Sequence, residues 1–258
     1  MGLDAAVSCT CWRDGRTTSP PVPVYFNWDS GYLDVVDTDD YRAFSDWRAS
    51  ACEHEEMELA AERIGNWSGA RRLESVVVAA GRSRFPILFS SLVQVGNGGV
   101  VEAELCADVV RELDELSDTL LPAVQLIDGE TGSVLETIFE WEMWFRSERI
   151  RWIDGSELDG MDAPVRIRRR DEILFEAYEF SQDTVGSDCR LIRLDNRCSG
   201  PGELTVSAPF RRLPDGPIPH RVSLQRKDVR VGDQLYSLVS LRTIFAAAVE
   251  VGYPVSWC

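Results

Sequence analysis

Apolar and polar positions at the start of the chain alternate with a period of two. The stretch Leu3 to Trp12 alternates loosely and predicts a strand that ends in a turn at Cys9-Thr10-Cys11. Two short runs, Val24 to Phe26 and Tyr32 to Val36, flank Asp29-Ser30-Gly31 and predict a β-hairpin. The chain is therefore expected to begin with a small antiparallel unit.

Helical spacing follows this hairpin. Thr38 is a candidate N-cap, and one set of apolar residues then recurs every three or four positions: Tyr41, Phe44, Trp47 and Ala51. A second set fits a helix in a different phase: Met57, Ala60, Ala61 and Ile64. We therefore predict two helices with a break across residues 52–56, followed by a third helix that runs from Ser68 to Gly81.

The middle of the chain predicts one buried strand and one clear helix. Phe85 to Val95 is an apolar run with the length of a strand. A second group of apolar residues has helical spacing and predicts a helix that ends before Pro122: Leu105, Val109, Leu113, Leu116 and Leu120. The pattern from Val134 to Phe145 fits a helix or a strand, and both alternatives stay open.

From Pro164 onward the pattern favours short strands. They are predicted at Val165–Arg169, Ile173–Phe180, Cys189–Leu194 and Leu204–Ala208. An amphipathic helix from about Ser240 to Val251 should then end at Gly252, with Pro254 beyond it.

Helices and antiparallel strands in separate blocks predict an α+β fold, with the helices packed on one face of the strands. A seam near Asp154 to Asp162 predicts two subdomains, a mixed region 1–153 and a strand-rich region 163–258. A single domain is the alternative.

Charge restricts the classes of partner. The chain of 258 residues has 43 acidic and 27 basic side chains and a formal net charge of −16. Such a surface repels phosphate backbones and anionic membranes, so we expect no nucleic-acid or membrane partner. The sequence also shows no secretory signal and no membrane-length apolar run, which predicts a cytoplasmic protein. The acidity indicates either general solubility or a surface for a basic protein partner.

Seven cysteines, an odd number, do not suggest a disulfide framework. Reduced thiols or metal ligands fit better. Cys106 lies in the pattern of an apolar helix and is predicted to be buried. Cys189 and Cys198 are close enough in sequence for a disulfide or a second metal pair.

Four residues form the most suggestive cluster of the sequence. Cys9 and Cys11 make a C-x-C pair, and Cys52 and His54 make a C-x-H pair about forty residues later. Three thiolates and one imidazole can complete the tetrahedral shell of a structural zinc ion. The alternatives are four unrelated residues, or a catalytic metal that has lost one ligand to water and uses Glu55 or Glu56 as base.

Other chemistries have weaker support, and we assign no catalytic residue. His220 could serve as base for a cysteine nucleophile, but no nucleophile motif accompanies it. The run Gly96-Asn97-Gly98-Gly99 lacks the order of a phosphate-binding loop and predicts a tight turn. The basic run 166–170 is expected to pair with Asp171 and Glu172. A small-molecule pocket could be lined by Trp141, Trp144 and Trp152.

The N-terminal motifs resemble those of a family of uncharacterised bacterial proteins. The similarity covers roughly the first 70 to 95 residues, and no activity follows from it. Its motifs are Met1-Gly2-Leu3-Asp4, Cys9-x-Cys11, Cys52-Glu53-His54-Glu55 and Glu62-x-Ile64-x-Asn66-Trp67-x-Gly69. In charge and mixed fold the chain is also similar to immunity proteins of bacterial toxin systems.

Together these features predict a cytoplasmic interaction protein with an immunity or regulatory role and a structural zinc site. A zinc-dependent hydrolase that uses the Cys/His cluster is one alternative. A binder of small molecules in a tryptophan-lined pocket is the other.

Overall fold

The computed structural model describes residues 2–92, 98–140, 142, 156–158, 160–210 and 217–257. It contains helices and antiparallel sheets, which confirms the predicted α+β class. The chain divides into two compact units, the first formed by Met1–Thr119 with Val231–Cys258 and the second by Leu120–Arg230. The seam predicted at 154–162 lies inside the second unit and partly outside the described residues.

The division follows the hydrogen-bonded sheets. Residues 120–128 pair with residues 222–230 along their whole length, so the segment between them closes on itself. A boundary near residue 155 would separate these paired strands.

In the first unit, four strands form one sheet and two form a hairpin. The sheet has the order β4-β1-β15-β5, and β2 pairs with β3. The elements are β1 (Gly2–Ser8), β2 (Val24–Asn27), β3 (Tyr32–Val35), α1 (Tyr41–Arg48), β4 (Glu58–Asn66), α2 (Trp67–Gly81), β5 (Val100–Val101), α3 (Ala103–Asp118), α4 (Ser237–Val251) and β15 (Val255–Trp257).

The predicted opening strand, hairpin and final helix are confirmed. β1 occupies the interior of its sheet, with Ala5 paired to both Glu62 and Trp257. Helix α4 ends as predicted, because Gly252 adopts the left-handed conformation with φ of 69° and donates its N–H to the carbonyl of Ala248. The N-cap of α2 is Asn66 rather than the predicted Ser68.

The helix predicted from Met57 to Ile64 is wrong, because Met57 ends a 3-10 turn and the residues after it form β4. From Ala60 to Ile64 burial alternates with a period of two, as in a strand with one covered face. The alanines at positions 60 and 61 misled the prediction, since a pair of small apolar residues fits either period. In the strand, Glu62 accepts a hydrogen bond from Ser240 of α4 at 3.1 Å.

The buried strand predicted from Phe85 to Val95 is also wrong for its described part. Leu88–Leu92 forms a π-helical turn, and residues 93–97 lie outside the described residues. Glu112 of α3 explains this turn, because its carboxylate accepts hydrogen bonds from the backbone N–H groups of Ile87, at 3.1 Å, and Leu88, at 2.9 Å. Glu112 is only 1% exposed, so its buried oxygens require hydrogen-bond donors.

The second unit is built from strands in two sheets. The six-stranded sheet has the order β13-β12-β11-β14-β6-β7, and the three-stranded sheet has the order β10-β9-β8. The strands are β6 (Leu120–Asp128), β7 (Val134–Phe139), β8 (Ser156–Leu158), β9 (Val165–Arg169), β10 (Glu172–Ala177), β11 (Glu179–Val185), β12 (Asp188–Arg193), β13 (Glu203–Val206) and β14 (Arg221–Arg230).

Three of the strands predicted after Pro164 are therefore confirmed with small shifts of their ends. The single strand predicted from Ile173 to Phe180 is wrong, because this segment is divided between β10 and β11 at Tyr178. The ambiguous segment that begins at Val134 is a strand as far as Phe139, and most of its remainder lies outside the described residues. Helix α3 ends at Asp118, before Pro122, which lies within β6 opposite Asp228. None of the described helices combines the length and apolarity needed to cross a bilayer.

Candidate metal centre

The C-x-C pair lies in a tight turn directly after β1. The N–H of Asp14 donates to the carbonyl of Thr10 at 2.9 Å, and the N–H of Arg16 donates to the carbonyl of Cys11 at 2.7 Å. Gly15 adopts a left-handed conformation with φ of 68°, which its missing side chain permits. This turn is the backbone reversal that a C-x-C pair needs to direct both sulfurs at one centre.

Cys52 and His54 lie between the end of α1 and a 3-10 turn, Glu55–Met57, that leads into β4. The predicted break is therefore present, but it separates a helix from a strand. Glu56 and Met57 have positive φ angles of 49° and 56°, which are costly for residues with side chains. This conformation brings the carbonyl of Met57 to the N–H of Cys9, at 2.8 Å, and joins the two ligand segments.

The four predicted ligand atoms converge. The three sulfurs and one histidine nitrogen all lie within 4.8 Å of one another. Cys9 Sγ is 3.7 Å from Cys52 Sγ, and His54 Nδ1 is 3.3 Å from Cys11 Sγ and 3.8 Å from Cys52 Sγ. Bonds of about 2.3 Å at the tetrahedral angle would separate two sulfurs by about 3.8 Å. The group could therefore hold a metal ion.

A small apolar core encloses the sulfurs. Cys9 and Cys11 are 4% and 1% exposed, whereas Cys52 and His54 are half-buried. We call this cluster the thiol core. Its buried members are Cys9, Cys11, Leu33, Val35, Phe44, Trp47, Ala51 and Met57. The hairpin β2–β3 and helix α1 thus pack against the cysteines of the group.

Burial favours the protonated thiols when no cation compensates. Desolvation raises the pKa of Cys9 to about 12, and hydrogen bonding with Cys52 adds to this rise. Desolvation likewise raises the pKa of Cys11. A bound cation reverses this balance, because a coordinating thiol loses its proton to the metal. The site is thus suited to a metal and poorly suited to a free thiolate nucleophile.

Charged side chains surround the cluster without entering it. Arg16 pairs with Asp14 at 3.1 Å and with Glu53 at 3.5 Å. Arg48 pairs with Glu56 at 3.3 Å and with Glu58 at 3.7 Å. Burial raises the pKa of Glu58, although Arg48 opposes that rise. Glu56, one of the two bases considered from the sequence, is therefore engaged by an arginine.

Other residues singled out from the sequence lie elsewhere. Cys106 is fully buried as predicted, and Cys189 and Cys198 are free thiols, so the disulfide alternative for this pair is wrong. His220 pairs with Asp183, with Nδ1 and Oδ1 2.9 Å apart, and both side chains are largely exposed.

Arg166, the first residue of the basic run on β9, pairs across strands. Arg166 donates from Nε to Glu176 of β10 at 2.7 Å, because the antiparallel register places these two residues opposite each other. Gly96, Asn97, Trp141, Trp144 and Trp152 lie outside the described residues.

The left-handed turn at Glu56 and Met57 was not predicted. Neither residue type favours positive φ, so no local signal marks the turn. The comparisons with known proteins add no further guide, since no protein-family model, curated protein or solved structure matches the chain. Fold and geometry define the chain as an α+β protein with a Cys₃His group that could hold a metal ion.

Proposed function

We propose that this is a non-catalytic, acidic interaction protein whose first unit is stabilised by a structural zinc ion on Cys9, Cys11, Cys52 and His54. The observation that carries the proposal is the convergence of four ligand atoms within 4.8 Å of one another. They come from two segments about forty residues apart, so a shared ion would join the end of β1 to the loop after α1.

The donor set favours zinc. Thiolates are soft ligands, and a tetrahedral arrangement of three sulfurs and one imidazole nitrogen is a common structural zinc shell. Calcium and magnesium are disfavoured because they select oxygen ligands. The same residues would also accept other thiophilic ions, so metal identity is part of the test.

A structural role is supported over the hydrolase alternative. Four protein ligands fill a tetrahedral shell, whereas a catalytic zinc keeps one position for water. Cys9 and Cys11 are almost fully buried, which leaves little access for a substrate. Glu56 is paired with Arg48, and Glu55 is the remaining candidate base.

An interaction role is supported by the surface that covers the thiol core. Val36 is 71% exposed and Tyr41 is 60% exposed, although both adjoin elements that pack on the sulfurs. Three aspartates lie between them: Asp37, Asp39 and Asp40. Exposed apolar side chains among acids are suited to a partner that is basic and partly apolar. In this proposal the ion fixes the surface that the partner contacts.

Elemental analysis of untagged protein tests the metal. We expect about one zinc per chain, lost in Cys11→Ser and retained in the matched control Cys198→Ser, whose thiol lies outside the cluster. Glu55→Gln should also retain the ion. Wild-type protein that contains no metal after purification in zinc-supplemented medium would refute the structural site.

A quantitative pull-down tests the partner class. The triple variant Asp37→Asn, Asp39→Asn, Asp40→Asn should lose its basic partner. A control with the same change in charge, Glu130→Gln, Asp171→Asn, Glu172→Gln, should retain it. Equal recovery by both variants, or recovery of no basic protein by the wild type, would contradict the proposed interaction role.

A further inference from the structure

The second unit contains a cleft that is separate from the metal group. Its volume is about 320 Å³, and its floor includes Val124, Leu224, Met161 and Ala163. These four side chains belong to an apolar cluster with Ile138 and Leu158. The size is at the lower end of the range for small-molecule sites, which are typically apolar with a few polar groups.

Two arginines line this cleft in an otherwise acidic protein. The guanidinium carbon of Arg197 lies 3.7 Å from the centre of the Tyr178 ring. Among the described residues, Arg197 forms no side-chain ion pair, so its N–H groups stay available at the edge of the stacked plane. Arg226 pairs with the exposed Asp162 at 3.0 Å.

Hydrogen bonds hold the stacked pair in place. The Tyr178 hydroxyl donates to the carbonyl of Asp162 at 2.5 Å, which ties the ring to the loop that borders the cleft. The Asp195 carboxylate accepts from the N–H groups of Tyr178 at 2.7 Å and Arg197 at 2.9 Å. The Tyr178 ring and the backbone of Arg197 are therefore positioned before any ligand arrives.

We propose that this cleft binds a small aromatic carboxylate. The planar guanidinium of Arg197 can donate two parallel hydrogen bonds to a carboxylate, the geometry in which arginine exceeds lysine. An aromatic ring would then lie on the partly buried Leu224 and Met161 and remove apolar surface from water. The inference is independent of the metal group, since every residue it uses belongs to 120–230.

Nuclear magnetic resonance titration with benzoate tests this site. We expect saturable shifts of the backbone amides of Tyr178, Arg197 and Leu224, and much weaker binding of benzyl alcohol, which lacks the charge. Arg197→Gln should weaken benzoate binding about tenfold or more, and Arg197→Lys should restore only part of it.

Two further variants separate recognition from general charge. Asp162→Ala should strengthen benzoate binding a few-fold, because it releases Arg226 from its carboxylate partner. Arg190→Gln, an exposed arginine on β12 away from the cleft, should leave binding unchanged. The proposal is overturned if the named amides show no saturable shift, if Arg197→Gln binds like the wild type, or if benzyl alcohol binds as well as benzoate.

Discussion

The thiol core of the first unit and the aromatic core of the second unit are stabilised by different means. The aromatic core is rich in phenylalanine, and Phe180 packs edge-to-face on Phe175 and Phe210 with ring centres 5.6 and 5.1 Å away. The thiol core instead includes two buried cysteines, and the half-buried Cys52 and His54 lie beside them. Dispersion and the hydrophobic effect account for the aromatic core, whereas the thiol core has chemistry that apolar packing does not require.

The comparison indicates what each core needs. The hairpin and short helix around the thiol core offer limited apolar surface, and small structural units commonly depend on a metal or a disulfide. The second unit has long paired strands and needs no such link. Metal loss should therefore affect the two units unequally.

The largest effect is expected for Cys11→Ser. Removal of a ligand from a four-coordinate site should cost several kcal/mol locally, because binding free energy and folding are coupled. Hydrogen exchange across residues 24–48 should accelerate roughly a hundredfold or more, while exchange in residues 120–230 stays unchanged. Cys106→Ser is the matched control, since it makes the same substitution at a buried site outside the cluster. Unchanged exchange in β2, β3 and α1 of Cys11→Ser would contradict the metal's role.

Phe180→Ala should reverse this pattern. The ring is fully buried, so its removal should lower the free energy of unfolding by about 3–5 kcal/mol through lost burial and a cavity. Urea unfolding measures the loss, and metal content should remain at the wild-type value. Val185→Ala on the same strand is the control, since Val185 is 58% exposed and should cost less than about 0.5 kcal/mol. Equal costs for the two variants would rule out this aromatic core as the main source of stability.

Asp195 should make the second unit sensitive to acid. Burial would raise its pKa, but hydrogen bonds from the N–H groups of Glu179, Arg197 and Tyr178 outweigh burial, and the pKa lies below the ordinary 3.8. The unfolded chain then binds more protons, so this contribution is complete above pH 3.8 and disappears as the pH falls through the folded-state pKa. Asp195→Asn should lower the free energy of unfolding by roughly 1.5 kcal/mol near neutral pH. The free energy of unfolding of this variant should also fall less steeply as the pH is lowered. If the free energy of unfolding depends on pH in the same way in wild type and variant, Asp195 does not have this role.

The smallest effect is expected at the N-cap of α2. The Asn66 side chain accepts from the N–H of Gly69 at 3.0 Å, so Asn66→Ala should cost about 1 kcal/mol by urea unfolding. Asn66→Asp keeps the acceptor and should be close to neutral. A loss in Asn66→Asp as large as in Asn66→Ala would mean that the side-chain cap is not the cause.

The sequence predicted the strands with clear period-two alternation and the four residues that converge in the Cys/His cluster. It failed where a partner distant in sequence decides the conformation. The run after Phe85 forms a helical turn because Glu112, on another helix, accepts its N–H groups. Residues 58–66 form a strand because β1 supplies the pairing partners, which local spacing does not reveal.

The same distinction applies to the sites. Convergence of Cys9, Cys11, Cys52 and His54 was predictable from residue type and paired spacing. The cleft was not predictable, since Tyr178, Arg197 and Arg226 come from segments that only the assembled sheets bring together.

X-ray absorption at the zinc edge of purified protein tests the central claim most directly. Our account predicts about three sulfur ligands near 2.3 Å and one nitrogen ligand near 2.0 Å. A variant in which one cysteine is replaced and which still binds zinc should show one sulfur ligand fewer. A shell of oxygen and nitrogen alone, or a spectrum that Cys9→Ser and Cys52→Ser both leave unchanged, would contradict it.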